Sequence, residues 1–480
     1  MKKLITFILF FLIVTISVSG SVATDKTAAA KIDELMKDYL ELDQFAGNII
    51  ISRGDDLIYQ KSFGKADKAT DLRNSSDTRF NIGSMGKMFT AAAIIQLHQT
   101  GKLNLDDTID KYIEGFPQEI AESVTIRQLL NHSSGMGNYK YHPDYQENPS
   151  RFNSIEALLP LIKDEYPKFE PGESYHYSNS GYILLGAIIE KASGMSYEEY
   201  CQKYIWEPAG MKNVSFTSPG NNTKIKSVGY IKTSIGKFKS ASNKTSPALP
   251  DGGAFCAIRD IYLFFKSING NSLISAENRE LIFSPQQGSH CFGAALSPAA
   301  KTLCGKTVIS ADGCAPGYSV SCRFITEEGY TIIAASNYQE VSSGVCSKLE
   351  AILCGNYYTR PRKPLTELLY SLIEERGVGY VATEFKSIMS AYEASLPNDW
   401  ILNSFGYELI GEGKLDEAVE IFKLNVTLFP SAPNTYDSLA EALMIKGEKD
   451  LAAKFYKRVL EMSPENVNAK EKLNELNYYK

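Results

Sequence analysis

A serine and a lysine three residues apart, Ser84 and Lys87, stand in F-N-I-G-S-M-G-K-M-F-T-A-A-A-I-I-Q-L, where the residue pattern predicts the start of a helix. Residues three apart on a helix share a face, so the Lys87 amine can reach the Ser84 hydroxyl as a base beside its nucleophile. The helix end adds unpaired N–H groups and a positive dipole end, and both favour negative charge that develops during acyl transfer. Ser-x-x-Lys occurs three times, at Ser62, Ser84 and Ser234. The first and third lie in L-I-Y-Q-K-S-F-G and G-Y-I-K-T-S-I-G-K-F, whose alternation predicts strands, where a lysine three residues on faces the other way. Only Ser84 is followed by apolar residues at helical spacing, Ala91, Ile94, Ile95 and Leu97, with Gly101 at the closing cap.

A serine nucleophile needs proton-transfer partners, and the G-x-S-x-G elbow that would supply a different geometry is absent. Tyr177-Ser178-Asn179 is the sole Tyr-x-Asn, placed just before an apolar helix. On an extended loop a phenol and an amide two residues apart project to one side, where they can hydrogen-bond to Lys87 and to a substrate. No Cys-x-x-Cys or His-Glu-x-x-His spacing exists and the five histidines are scattered, so neither a metal nor another cofactor is called for.

These segments, with T-I-R-Q-L-L-N-H-S-S-G-M, P-G-E-S-Y-H-Y-S-N-S-G-Y and W-E-P-A-G-M-K-N-V, resemble the serine β-lactamase and penicillin-recognising superfamily. The likeness is to its class C and D-alanyl-D-alanine carboxypeptidase branch, which includes esterases, and runs from Phe45 to Tyr357. It implies an acyl-enzyme mechanism in which Ser84 attacks a carbonyl while Lys87 and Tyr177 jointly move its proton. Burial disfavours an ammonium and would suit Lys87 to that task. Tyr177 would then serve the leaving group and the deacylating water, and Asn179 would hold Lys87 and the substrate amide.

The sequence departs from the family at its third element, a Lys or His followed by a small residue and Gly. Counting back from Pro316-Gly317, that strand reads Ala311-Asp312-Gly313, with a methyl in the cation's place. The second oxyanion N–H would come from Cys314, and a backbone donor survives any side-chain change. Recognition of a substrate carboxylate is therefore in doubt, and β-lactamase activity is the less expected outcome. His132-Ser133-Ser134-Gly135 is no substitute, because it resembles the T-H-x-S-G-L loop of relatives. His132, His142 and His290 read as structural, and alternation turns His176 away from the side that Tyr177 faces.

The elements that must position these groups read as α+β. A hairpin pattern, F-A-G-N-I-I-I-S-R-G-D-D-L-I-Y-Q-K-S-F-G, follows a helix-like stretch near Ile32–Leu42. Strand patterns return at T-V-I-S-A-D-G-C and Y-S-V-S-C-R-F-I-T-E-E-G-Y-T-I-I-A-A-S-N, with helices and loops between. One antiparallel sheet built from both ends of the domain and flanked by helices is expected, in the β-lactamase/transpeptidase-like class. Residues 24–358 are assigned to this domain, 359–400 to a helical linker or cap, and 401–480 to about two tetratricopeptide-like repeats plus a capping helix. The repeats rest on pairs 34 residues apart, among them Phe405/Leu439, Leu409/Leu443, Gly413/Gly447, Ala418/Ala452, Phe422/Tyr456 and Pro430/Pro464.

Met1-Lys2-Lys3 and the apolar run to Val18, ending in Ser21-Val22-Ala23, read as a signal peptide over 1–23, with an uncleaved anchor as the alternative. A secreted or periplasmic location follows. With 480 residues and a net charge of −6 without a basic stripe, the chain is a multidomain protein with no case for nucleic acid. Its eight cysteines fit either disulfides in an exported chain or buried free thiols. Three functions are compatible: a hydrolase of small esters, amides or D-amino-acid peptides; a catalytically weak cell-wall or peptide binder; and a scaffold whose repeat tail holds a protein partner or a second copy.

Overall fold

The computed structural model describes residues 26–220, 225–241, 248–297, 301–392 and 398–476. The expected signal peptide lies outside them. The chain forms two compact units, one made of the described residues up to Ile231 with Ser240–Pro361, the other of Lys232–Lys239 with the described residues from Arg362 on.

The first unit is built on a six-stranded sheet of β1 (Gly47–Arg53), β2 (Asp56–Phe63), β3 (Ala295–Ser297), β4 (Val308–Ala315), β5 (Tyr318–Ile325) and β6 (Tyr330–Ser336), in the order β3-β4-β5-β6-β1-β2. Every neighbour pair is antiparallel, and β1 from one end of the domain pairs with β6 from the other, Gly47 opposite Ser336. Strand alternation divides the apolar residues between two faces. Ile50, Val320, Phe324 and Ile333 join the core formed with α2 (Lys87–Gln99), α3 (Asn179–Ser193) and α4 (Ile258–Asn269). Ile49, Ile51, Ile325 and Ile332 join a second core with α1 (residues 26–41) and α5 (Ser342–Leu353). This is the antiparallel α+β sheet assembled from both ends that the sequence predicts. All eight cysteines are free thiols, six of them buried.

One local expectation is corrected. Ser234 lies in the turn between the strands Tyr230–Lys232 and Phe238–Ser240, not within a strand. That turn belongs to the second unit because Ile235 is buried in the helical core with Leu369, Phe405 and Phe422. The segment read as a helical linker or cap over 359–400 contains two helices, Leu365–Arg376 and Val378–Ala391, broken at Gly377, whose φ of +81° suits glycine.

Helices Asp399–Gly411 and Leu415–Leu428 are followed by Pro433–Lys446 and Lys449–Met462, so helix starts recur at 34 residues. Paired positions take equivalent roles. Gly413 and Gly447 both adopt positive φ after a helix, while Ala418 and Ala452, and Phe422 and Tyr456, are buried. A Cβ on Gly406 would come within 2.4 Å of the Phe422 ring, so these two helices cross too closely for any larger residue. The helix Val467–Glu475 closes the unit through Ala469 and Leu473.

Candidate active site

Ser84 sits in a 3-10 turn, Gly83–Gly86, that runs directly into α2, so the serine precedes the α-helix proper and Lys87 is its first residue. Glycine is required on both sides of this turn. A Cβ on Gly83, whose φ is +50°, would lie 2.4 Å from the Cys314 carbonyl oxygen, and one on Gly313 would lie 1.8 Å from the Ile82 carbonyl oxygen. On the far side, a Cβ on Gly252 would lie 2.2 Å from the Gly83 oxygen. The serine is thus clamped between strand β4 and the Gly252-Gly253 turn. The helix that carries it is buried from Lys87 to Ile95, which fixes its direction.

Lys87 is a lysine only 2 % exposed, and its contacts account for that. Its Nζ donates to Asn179 Oδ1 at 2.8 Å and to the Asp251 carbonyl at 2.5 Å, with Ser84 Oγ at 3.4 Å. It also lies 4.9 Å and 5.3 Å from the ring centres of Tyr177 and Tyr182. The Tyr177 hydroxyl donates to Ser84 Oγ at 2.7 Å. Ser84, Lys87, Tyr177 and Asn179 are thereby brought together in one hydrogen-bonded set.

Asn179 is not on an extended loop as expected. Ser178 is the N-cap of α3, its Oγ accepting from the Gly181 N–H, and Asn179 is the first helical residue. Its amide nitrogen donates to Asn138 Oδ1 at 3.2 Å, which orients the carbonyl oxygen toward Lys87.

Several residues at the site were missed or read as purely structural. His132 lines the cleft, 4.6 Å from the Tyr177 ring centre, and its Nδ1 accepts from the Ser178 N–H at 3.1 Å. Burial, with Lys87 nearby, pushes its pKa well below the usual histidine range, so the ring is neutral with its proton on Nε2. His290 also lines the cleft, stacked on Tyr175 at 3.6 Å, and burial lowers its pKa too. His176 turns to Lys168, as alternation implies, and His142 caps a short helix at Asp144. Asp251 is a buried carboxylate that accepts from Tyr139 at 3.0 Å and pairs with Lys140 at 2.9 Å. Burial works to raise its pKa, but Lys140 and Lys87 hold it below the ordinary carboxylate range. Gly252-Gly253 was the available signal for this turn, since paired glycines mark close backbone approach.

The cleft encloses about 200 Å³. A larger cavity of about 350 Å³, lined by Phe283, Ile309 and Phe324 among others, includes neither Ser84, Lys87, Tyr177 nor Asn179. Beside Ser84, β3 pairs with β4 only from Val308 to Ser310, so the edge of β4 from Ala311 on runs past the nucleophile turn without a β3 partner. Ala311, the position expected to carry a cation, is 2 % exposed and packed in the core, whereas Ser310 and Asp312 line the cleft. Cys314 is exposed at the end of the same strand, its peptide against Gly83. The arrangement offers a hydroxyl nucleophile, two proton-carrying groups within 3.4 Å of it and a strand edge for a substrate backbone, which is the equipment of acyl transfer.

Residues 30–355 match the family model described as beta-lactamase. Penicillin-binding protein 4* of Bacillus subtilis is 29 % identical over 347 residues, covering 68 % of this chain and 76 % of that protein. A penicillin-binding protein from Bacillus halodurans superposes with a TM-score of 0.59 at 25 % identity, over 66 % of this chain and 98 % of its own. A penicillin-binding protein homologue from Pyrococcus abyssi, described as octameric, gives 0.61 at 26 % identity over 72 % and 81 %. The clamped serine, the six-stranded antiparallel sheet and a match that covers most of the first unit agree: the chain belongs to the β-lactamase family of serine hydrolases.

Proposed function

We propose that the protein is an exported serine hydrolase that acts through an acyl-enzyme on Ser84, with a small ester, amide or D-amino-acid peptide as substrate. The observation that carries this reading is the set of contacts at Ser84 Oγ, 2.7 Å from the Tyr177 hydroxyl and 3.4 Å from Lys87 Nζ. As Oγ attacks the carbonyl carbon, its proton passes to the Lys87–Tyr177 pair. The pair returns a proton to the departing alcohol or amine, then takes one from the water that opens the acyl-enzyme, restoring Ser84. Asn179 fixes Lys87, and the N–H groups of Ser84 and Cys314 face the developing oxyanion. Export rests on the apolar N-terminal segment, and no helix among the described residues is long and apolar enough to cross a membrane.

The test is covalent labelling with a fluorophosphonate and with a fluorescent penicillin, followed by mapping of the modified peptide. Label on Ser84 that is lost in Ser84→Ala supports the reading. A second reading, a weak or inactive relative that binds cell-wall or peptide fragments, is favoured by the methyl at Ala311 and predicts ligand binding without label. The helical unit is assigned to a protein partner or to self-association, because its 34-residue period is that of tetratricopeptide-type repeats.

A further inference from the structure

The cleft volume of about 200 Å³ is below the roughly 300 Å³ at which pockets for drug-sized molecules begin, so its walls limit what fits. One side is a run of aromatic rings that starts at the nucleophile. The Tyr177 hydroxyl meets Ser84 Oγ at 2.7 Å, and the His132 ring centre lies 4.6 Å from that of Tyr177 and 5.8 Å from that of Tyr175. His290 closes the run, stacked on Tyr175 with ring centres 3.6 Å apart and planes 9° from parallel. All four residues line the cleft. The stacked rings come from separate loops, Tyr175 from the one before α3 and His290 from the hairpin leading into β3, where it bridges to Ala295. Both are held from behind. The Tyr175–Tyr177 segment is tied to His132 twice, the His176 N–H donating to its carbonyl at 2.9 Å and the Ser178 N–H to its Nδ1 at 3.1 Å. The His290 N–H donates to the Gln287 carbonyl at 2.9 Å, and fully buried Phe292 anchors the hairpin two residues on. Past the stack, Gly293, Ala294 and Ala295 line the cleft with little or no side chain, so the two rings bound the space that these small residues leave.

We propose that the stacked Tyr175–His290 pair is the end wall of the leaving-group pocket and selects substrates by size, admitting a leaving group no longer than a single ring and excluding extended ones. This rests on the serine-hydrolase reading and narrows its substrate class. Tyr177 is the group that hands a proton to the leaving alcohol or amine, so the rings that continue from Tyr177 flank that end of the substrate. A stack fixed on both loops cannot swing aside without breaking the backbone hydrogen bonds behind it, and a longer leaving group meets it as an overpacked contact.

Three acetate esters whose leaving phenols have similar acidity but different length test it: phenyl, 2-naphthyl and 4-biphenylyl acetate. The readout is kcat/KM for each in wild type, His290→Ala, Tyr175→Ala and His290→Phe, with folding followed by circular dichroism. Phenyl acetate is expected to exceed 4-biphenylyl acetate in wild type by about ten-fold or more, the scale of one overpacked contact, with the naphthyl ester between them. Each alanine variant should bring that ratio down by about ten-fold, while His290→Phe, which keeps a flat ring in the stack, should hold it. Tyr175→Leu and His290→Asn, which keep more of the packing, stand in for an alanine variant that does not fold. A wild-type ratio near one, or a ratio that the folded variants without the stack leave in place, overturns the size selection and spares the hydrolase reading. Absence of turnover with all three esters overturns both.

Discussion

Replacing Gly313 by alanine adds one methyl at the tightest contact in the site. That Cβ would stand 1.8 Å from the Ile82 carbonyl oxygen and 2.8 Å from the Met85 nitrogen. Ordinary contact begins near 3.4 Å, so strand and turn must separate by roughly 1.5 Å. The turn cannot supply the movement, because Gly252 already presses on Gly83 and Gly86 from the other side. Strand β4 must therefore withdraw, carrying with it the Cys314 N–H proposed above as the second oxyanion donor.

Losing one preorganised oxyanion donor costs about 10² to 10³ in kcat, or roughly 3 to 4 kcal/mol of transition-state stabilisation. Overpacking itself destabilises by about 1 to 3 kcal/mol. The assay is burst and steady-state hydrolysis of a neutral nitrophenyl ester by Gly313→Ala, with thermal unfolding measured in parallel. Turnover within about three-fold of wild type in a folded variant would refute the reasoning, since the strand edge would then play no part in the chemistry.

Ser84→Ala should abolish hydrolysis and labelling, and Lys87→Ala and Tyr177→Phe should each lose about 10² to 10⁴ in kcat, the range for a positioned acid or base; steady-state kinetics on the same ester decide this. Burial raises the Glu350 carboxyl to about 7, against the attraction of Arg323. A folded-state value above the unfolded one means that its contribution is complete below about pH 4.3 and is lost as pH rises through 7. Urea titrations should therefore show Glu350→Gln gaining on wild type by on the order of 2 kcal/mol between pH 4 and pH 8, and a difference independent of pH would contradict this. Cutting the chain after Pro361 should preserve Ser84 labelling while stripping the cover from Ile235, so the shortened protein should self-associate on size exclusion until Ile235→Ser restores a monodisperse peak. Loss of labelling in a folded, shortened chain would show that the second unit completes the site.

How far the site could be read from sequence depended on what kind of atom makes each contact. Ser84 and Lys87 were legible because both ends of the contact are side chains within one turn of chain. Tyr177 and Asn179 were legible through their motif, though the helix cap at Ser178 that separates their settings was not. The acceptor that seats Lys87, the carbonyl of Asp251, lies 164 residues away and is a backbone oxygen, which every residue possesses and no residue type announces. His132 was dismissed on its loop's likeness to relatives, yet that loop is what brings its ring against Tyr177.

The strand beside the nucleophile shows the same limit from the other direction. Counting from Pro316-Gly317 placed Gly313 against the nucleophile turn, where only glycine fits. Alternation then turns Ala311 inward with Gly313 and leaves Ser310 and Asp312 on the opposite face. The methyl at 311 is therefore buried, and the Asp312 carboxylate turns to Arg323 on the other face of the sheet. A sequence motif fixes the order of residues on a strand. Which face each of two neighbours takes depends on what packs against the sheet, here the helix that begins at Lys87.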